Sequence, residues 1–174
     1  FKSSKPQASE KNVERDNSDK KIPGVKNIII VASGKGGVGK STLAVNIAYE
    51  LVQGGSKVGI ADLDIYGPSV PKMLGVSGNP DIDEKNRMIP KEKDGIKSVS
   101  IGYIIDEDKA VIWRSSMALK AMNQLLRGAV WDDIDYLVVD TPPGTGDIQL
   151  SLCKNFDITG AVVISTPQEV ALLD

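Results

Sequence analysis

Histidine is absent from this chain of 174 residues, and cysteine occurs once, at position 153. Without an imidazole, any proton transfer or positioning of water falls to carboxylates, lysine or backbone groups. A single thiol excludes an internal disulfide and, within one chain, a thiolate metal cage; the reducing cytoplasm is therefore the expected compartment. No apolar run approaches the roughly 20 residues a membrane-crossing helix needs, and no leader pattern opens the chain. Charge is close to balance, with 21 Lys/Arg against 23 Asp/Glu for a net −2. That gives no bulk attraction to nucleic acid or a membrane surface, so neither is expected as a partner.

What the chain does have is a glycine-rich loop. Gly34-Lys35-Gly36-Gly37-Val38-Gly39-Lys40-Ser41 fits G-x-x-x-x-G-K-[ST] over all eight positions. It follows the strand-length apolar run Asn27 to Ser33. It precedes Ser41 to Val52, where Leu43, Ile47 and Leu51 fall on one helical face with Ala44, Ala48 and Val52 beside them. Glycines free the backbone to turn several N–H groups toward one anion, and the helix start adds its positive end. The phosphate-binding set is therefore Gly34 to Thr42. Lys40 is expected at the β- and γ-phosphates of a nucleoside triphosphate and the Ser41 hydroxyl on Mg²⁺.

Residues 1–26 carry seven Lys/Arg against four Asp/Glu and few apolar side chains, and read as a flexible polar linker. Residues 27–174 read as one nucleotide-binding domain. A chain that opens on Phe1 and stops at Asp174 as a new segment begins is expected to be part of a longer protein.

Three further buried strands are expected: Lys57 to Asp62, Tyr136 to Asp140, and Ala161 to Ser165. A short helix reaches Leu74. Arg87–Pro90 and Ile96–Ile105 resemble a hairpin turned by Lys93-Asp94-Gly95. Ser115 or Ser116 can cap a helix with Met117, Ala121, Met122, Leu125 and Ala129 on its apolar face. Strands alternating with helices predict an α/β fold, a mostly parallel sheet with helices on both faces, whose ligands bind beyond the carboxyl ends of the strands. The glycine loop, Asp62, Asp64 and Asp140 all fall on that edge.

Asp140 ends an apolar strand and is expected to hold Mg²⁺, the alternative being a cap on the turn that follows. Asp62 and Asp64 alternate along an extended segment and should point to opposite sides. Asp64 is expected to orient the attacking water, and Asp62 to support the Mg²⁺ shell. Asp147 either caps the helix of Ile148 to Leu152 or has a switching role in the loop Thr141 to Asp147, which can register the γ-phosphate. Cys153 falls on an apolar helix face and reads as a core residue. Lys35 is either a solvated loop lysine or a cation reaching a nucleotide held by a facing subunit.

Lys35-Gly36-Gly37-Val38-Gly39-Lys40-Ser41-Thr42 resembles the deviant phosphate loop of the MinD/ParA/nitrogenase-iron-protein class. Asp62 to Pro71, Asp140 to Leu150 and Ser165 to Leu172 look like the Mrp/ApbC subfamily within it. The resemblance implies the three-layer P-loop NTPase fold and a homodimer that hydrolyses ATP slowly, in which Lys35 acts across the dimer. It also implies a [4Fe–4S] cluster passed to apoprotein acceptors. The Cys-x-x-Cys pair that such proteins use for the cluster would lie after Asp174, so no cluster ligand is expected in this chain. Trp113-Arg114-Ser115-Ser116-Met117 departs from the subfamily's Trp-Arg-Gly-Pro-Met. The competing expectations are a MinD- or ParA-like positioning ATPase acting at a membrane or on DNA, and a phosphoryl-transfer enzyme of metabolism.

Overall fold

The computed structural model describes residues 20–103, 115–144 and 146–167. Six strands form one sheet in the order β3-β4-β2-β5-β1-β6. They are β1 (Val25–Ser33), β2 (Val58–Asp62), β3 (Lys91–Lys93), β4 (Ile96–Ser100), β5 (Ile134–Asp140) and β6 (Gly160–Ile164). All neighbouring pairs are parallel except β3 with β4. Among the described residues the α-helices are α1 (Lys40–Gln53), α2 (Val70–Leu74), α3 (Ser115–Gly128) and α4 (Asp147–Asn155).

Each central strand sends alternate residues to opposite faces, and each face has its own helices. Val31, Val58, Ile60, Ile96 and Val138 pack under α1 and α2. Ile28, Ile30, Ala61, Val99, Leu137 and Val139 pack under α3 and α4, together with Trp131. The crossover from β1 through α1 to β2 and that from β5 through α4 to β6 run in opposite directions along the sheet. With right-handed crossovers, that difference places α1 and α4 on opposite faces. The result is the three-layer α/β fold expected from the alternation of elements.

Several local expectations need correction. The seam of α1 is Ala44, Val45 and Ala48, with Leu43, Ile47 and Leu51 only partly buried at its flanks; small residues let the helix lie close to the sheet. On α3, Met117 is exposed, whereas Ala118, Met122, Leu125 and Leu126 are buried. The hairpin's first strand is Lys91–Lys93, not 87–90. Met88 instead exchanges backbone hydrogen bonds with Gly128 and Val130, and Pro90 has no N–H to offer a ladder. β4 is also more than half of a hairpin, because it pairs parallel with β2 and extends the main sheet. β6 is an outer strand with Val163 73% exposed, since β1 is its one neighbour among the described strands. The ordered fold includes Ile22, which is buried, and β1 starts at Val25, ahead of the boundary drawn between residues 26 and 27. Residues 1–19, expected to belong to a polar linker, Trp113 and Arg114, the side chains of Ser115 and Ser116, Thr145 and residues 168–174 lie outside the described residues.

Candidate functional site

The carboxyl ends of β1, β2 and β5 meet where the glycine loop crosses the sheet edge. Gly37 and Gly39 hold φ of +76° and +90°, and a methyl built on either would meet no atom within 4 Å. Glycine is required here by the left-handed backbone, not by lack of room. Gly39 is also the N-cap of α1 and supplies no side-chain cap. The first N–H groups of the helix are thus left for an anion.

A cleft of about 250 Å³ opens at this point. Gly36, Gly37, Gly39, Lys40, Ser41 and Thr42 line it from the loop side, and Asp64, Gly67, Ser69 and Met73 from the opposite side. Gly34, Lys35 and Val38 do not line it. The Ser33 hydroxyl donates to the Lys35 carbonyl at 2.9 Å, folding the start of the loop back on β1. Pro143 closes the cleft, and Gly144 N–H donates to the Ser33 carbonyl at 2.8 Å. Thr141 gives both its N–H and its hydroxyl to the Val31 carbonyl, at 3.2 and 3.0 Å. These bonds fix the loop after β5 to the base of the glycine loop.

Lys40 is 6% exposed, and its ammonium donates to Asp140 Oδ1 at 2.5 Å, with Asp64 Oδ2 at 4.0 Å. Burial raises the Asp140 carboxyl above the usual carboxylate range, against hydrogen bonds from the Lys40 and Ser41 side chains that lower it. Its second oxygen, Oδ2, is buried with no hydrogen-bond partner. An orphan carboxylate oxygen beside a serine hydroxyl fits a divalent cation. Among the described residues no three His, Cys, Asp or Glu side chains form a metal cage. A cation held here would therefore depend on phosphate and water oxygens beyond Ser41 and Asp140, as Mg²⁺ does.

Asp62 is set differently. It ends β2 directly opposite Asp140 in the register of β2 with β5, is fully buried, and does not line the cleft. Burial and then the neighbouring Asp140 charge push its carboxyl up to about 7, against backbone N–H donors that lower it. Sequence reasoning missed its hydroxyl partner, Ser100, at 3.3 Å. The signal was faint, because β4 (Ile-Lys-Ser-Val-Ser) mixes polar with apolar residues, and a hairpin reading hid its parallel place beside β2.

Two expectations on α4 need correction. Asp147 is the first residue of the helix, and Gly146 is its N-cap; the carboxylate sits in the first turn, where it favours the helix dipole without capping it. Cys153 is exposed. Its helix face is apolar, as expected, yet it lines an open cleft of about 490 Å³ with Leu150, Ile30, Ala32 and Val163. That face meets the outer strand instead of the core.

The family model described as ParA: NUBPL iron-transfer P-loop NTPase matches residues 24–174. The chain is 55% identical over 154 residues to a protein of Escherichia coli K12 named iron-sulfur cluster carrier protein, covering 88% of this chain and 42% of that one. It is 51% identical over 157 residues to the mouse iron-sulfur cluster transfer protein NUBPL, covering 89% of this chain and 49% of that one. The chain thus spans about half the length of the curated relatives it matches. Among solved structures, an Archaeoglobus fulgidus nucleotide-binding protein in complex with ADP superposes with a TM-score of 0.74 at 32% identity, covering 91% of this chain and 63% of that one. The Pyrococcus furiosus cell division ATPase MinD superposes with a TM-score of 0.60 at 22% identity, over 84% of this chain and 62% of that one, a likeness of fold alone. Loop, sheet order and sequence agree that this chain belongs to the NUBPL iron-transfer P-loop NTPases of the ParA group.

Proposed function

We propose that this protein binds and slowly hydrolyses ATP as a homodimer and, in its full-length form, carries a [4Fe–4S] cluster to apoprotein acceptors. The observation that carries the nucleotide chemistry is the buried, unpartnered Asp140 Oδ2 beside Lys40 and Ser41 at the open end of α1. The cargo follows from relatives at 51–55% identity named as iron-sulfur carriers or transfer proteins.

Gly34 to Thr42 wrap the phosphates, and Lys40 turns from the two carboxylates to the β- and γ-phosphates. Ser41 and Asp140 hold Mg²⁺, which when bound neutralises charge on the phosphate oxygens. Asp64, on the wall of the cleft and 4.0 Å from Lys40, orients the attacking water. Lys35 serves the nucleotide of the facing subunit, supplying positive charge as phosphoryl transfer proceeds. An exposed thiol suits a reducing compartment such as the cytoplasm, and no helix among the described residues is long and apolar enough to cross a membrane.

The cluster needs ligands beyond those present, because one thiolate per chain gives a dimer two of the four that a [4Fe–4S] cluster takes. Anaerobic reconstitution of residues 1–174 and of the full-length protein, with iron and sulfide counted per dimer, is the test. The longer form should retain about four irons per dimer, with or without Cys153→Ser, and residues 1–174 none. Stoichiometric retention by residues 1–174, lost on Cys153→Ser, would overturn the assignment of ligands.

A further inference from the structure

Both oxygens of Asp62 are already taken by the protein. Oδ1 accepts the Asp64 N–H at 3.1 Å, and Oδ2 accepts the Val70 N–H at 3.1 Å and the Ser100 hydroxyl at 3.3 Å. A carboxylate has about four acceptor sites, so three donors leave little capacity for a metal shell. Its neighbour Asp140, by contrast, keeps a whole oxygen unpartnered.

We propose that Asp62 is a positioning residue which, with Ser100 and Gly102, holds Asp64 at the phosphate cleft, and that it is not a ligand in the Mg²⁺ shell. The inference rests on the ATPase reading above for its kinetic consequence, though not for its structural one.

The geometry is a clamp with two jaws. One jaw grips the chain at Asp64 and the other at Val70, so a single carboxylate closes the loop 63–69 at both ends. Within the loop, Asp64 Oδ1 accepts the Tyr66 N–H at 3.1 Å, which leaves Oδ2 toward Lys40. The clamp is anchored in turn by β4. Asp62 and Ser100 are register partners between β2 and β4. The Ser100 oxygen, while donating to Asp62, accepts the Gly102 N–H at 3.1 Å. Gly102 also seats the loop from outside, since a methyl there would come within 2.7 and 2.8 Å of Pro68 Cγ and Cβ. Such contact forces movement of a ring fixed to the backbone. Displacement by an ångström is enough to cost an active site much of its rate.

The test uses the intact protein with Ser100→Ala, Ser100→Thr, Gly102→Ala and Asp62→Asn, beside Asp140→Asn. Hydrogen exchange of the nucleotide-free protein reads the clamp directly. Ser100→Ala and Gly102→Ala should speed exchange at residues 64–70 and leave the phosphate loop unchanged, and Ser100→Thr, which keeps the hydroxyl, should restore protection. In ATP hydrolysis Ser100→Ala should lower kcat about tenfold with KM for ATP within about twofold, again rescued by Ser100→Thr. The Mg²⁺ concentration for half activity should move about tenfold in Asp140→Asn and stay within about twofold in Asp62→Asn. Wild-type exchange at 64–70 in Ser100→Ala, or an Asp62→Asn shift in Mg²⁺ requirement equal to that of Asp140→Asn, overturns the proposal. Should the wild-type protein hydrolyse no ATP, the ATPase reading fails while the exchange data still decide the clamp.

Discussion

Asp62 and Asp140 face each other in register at the carboxyl ends of β2 and β5, yet of the two only Asp140 receives the Lys40 ammonium. The same residue type at equivalent strand ends thus has two environments. One carboxylate is paired with a cation and keeps a free oxygen; the other is saturated by neutral donors. Such a division lets neighbouring acids do different work.

Lys40 and Asp140 are mutually dependent. Lys40→Met should weaken ATP binding at least about a hundredfold, since it removes the charge facing the phosphates. It should also destabilise the nucleotide-free protein by about 3 kcal/mol, because a buried carboxylate loses its counter-charge. Adding Asp140→Asn should recover part of that loss. Calorimetric titration and urea unfolding of both variants measure the two effects, and unchanged ATP affinity in Lys40→Met would refute the site.

Asp64→Ala should bind Mg-ATP with near-wild-type affinity and hydrolyse it at least about tenfold more slowly, so that an ATP-bound dimer accumulates. Its place on the cleft wall is the reason. Size-exclusion chromatography with ATP and a phosphate-release assay read both parts. Normal turnover here, with a block in Asp62→Ala, would show that the two acids had been assigned in the wrong order.

Stability should fall with rising pH across a defined window. The Asp62 carboxyl is raised by burial to about 7 in the folded protein, against about 4 in an unfolded chain. Between these values the folded state holds the proton more tightly, so stability declines from about pH 4 to pH 7 and levels off above. Asp140 is raised as well and adds in the same direction. The slope from one such group reaches at most about 1.4 kcal/mol per pH unit. Urea unfolding of wild type and Asp62→Asn at several pH values isolates the Asp62 share. Parallel curves for the two proteins would count against a raised Asp62.

Two glycines should respond for opposite reasons. Gly59→Ala would drive a methyl to 2.7–2.9 Å from Trp131 and Ile134 in the core, costing about 1–3 kcal/mol by overpacking while ATP affinity holds. Gly39→Ala meets open space, and its cost of about 1–2 kcal/mol is a left-handed backbone that alanine resists. Its ATP affinity should collapse as the loop N–H groups turn away. Denaturant midpoints and nucleotide titrations separate the two patterns.

The phosphate loop, its strand and helix, the parallel character of the sheet and the acids along one edge were all legible in the chain itself. Each depends on neighbours in sequence: spacing, glycine placement and apolar runs act over a few residues. Partnerships were not legible in the same way. That β4 joins β2 in parallel and brings Ser100 to Asp62 depends on which strands lie side by side, a matter of packing between segments 38 residues apart. Cys153 shows the other limit. Its apolar helix face was correctly read, but exposure depends on what lies opposite, and there the sheet reaches its outer strand. Local chemistry therefore specified the loop and the residue types around it. Only the tertiary arrangement, by deciding which side chains share a dry space, separated the Asp140 carboxylate that meets Lys40 from the Asp62 carboxylate that holds a backbone.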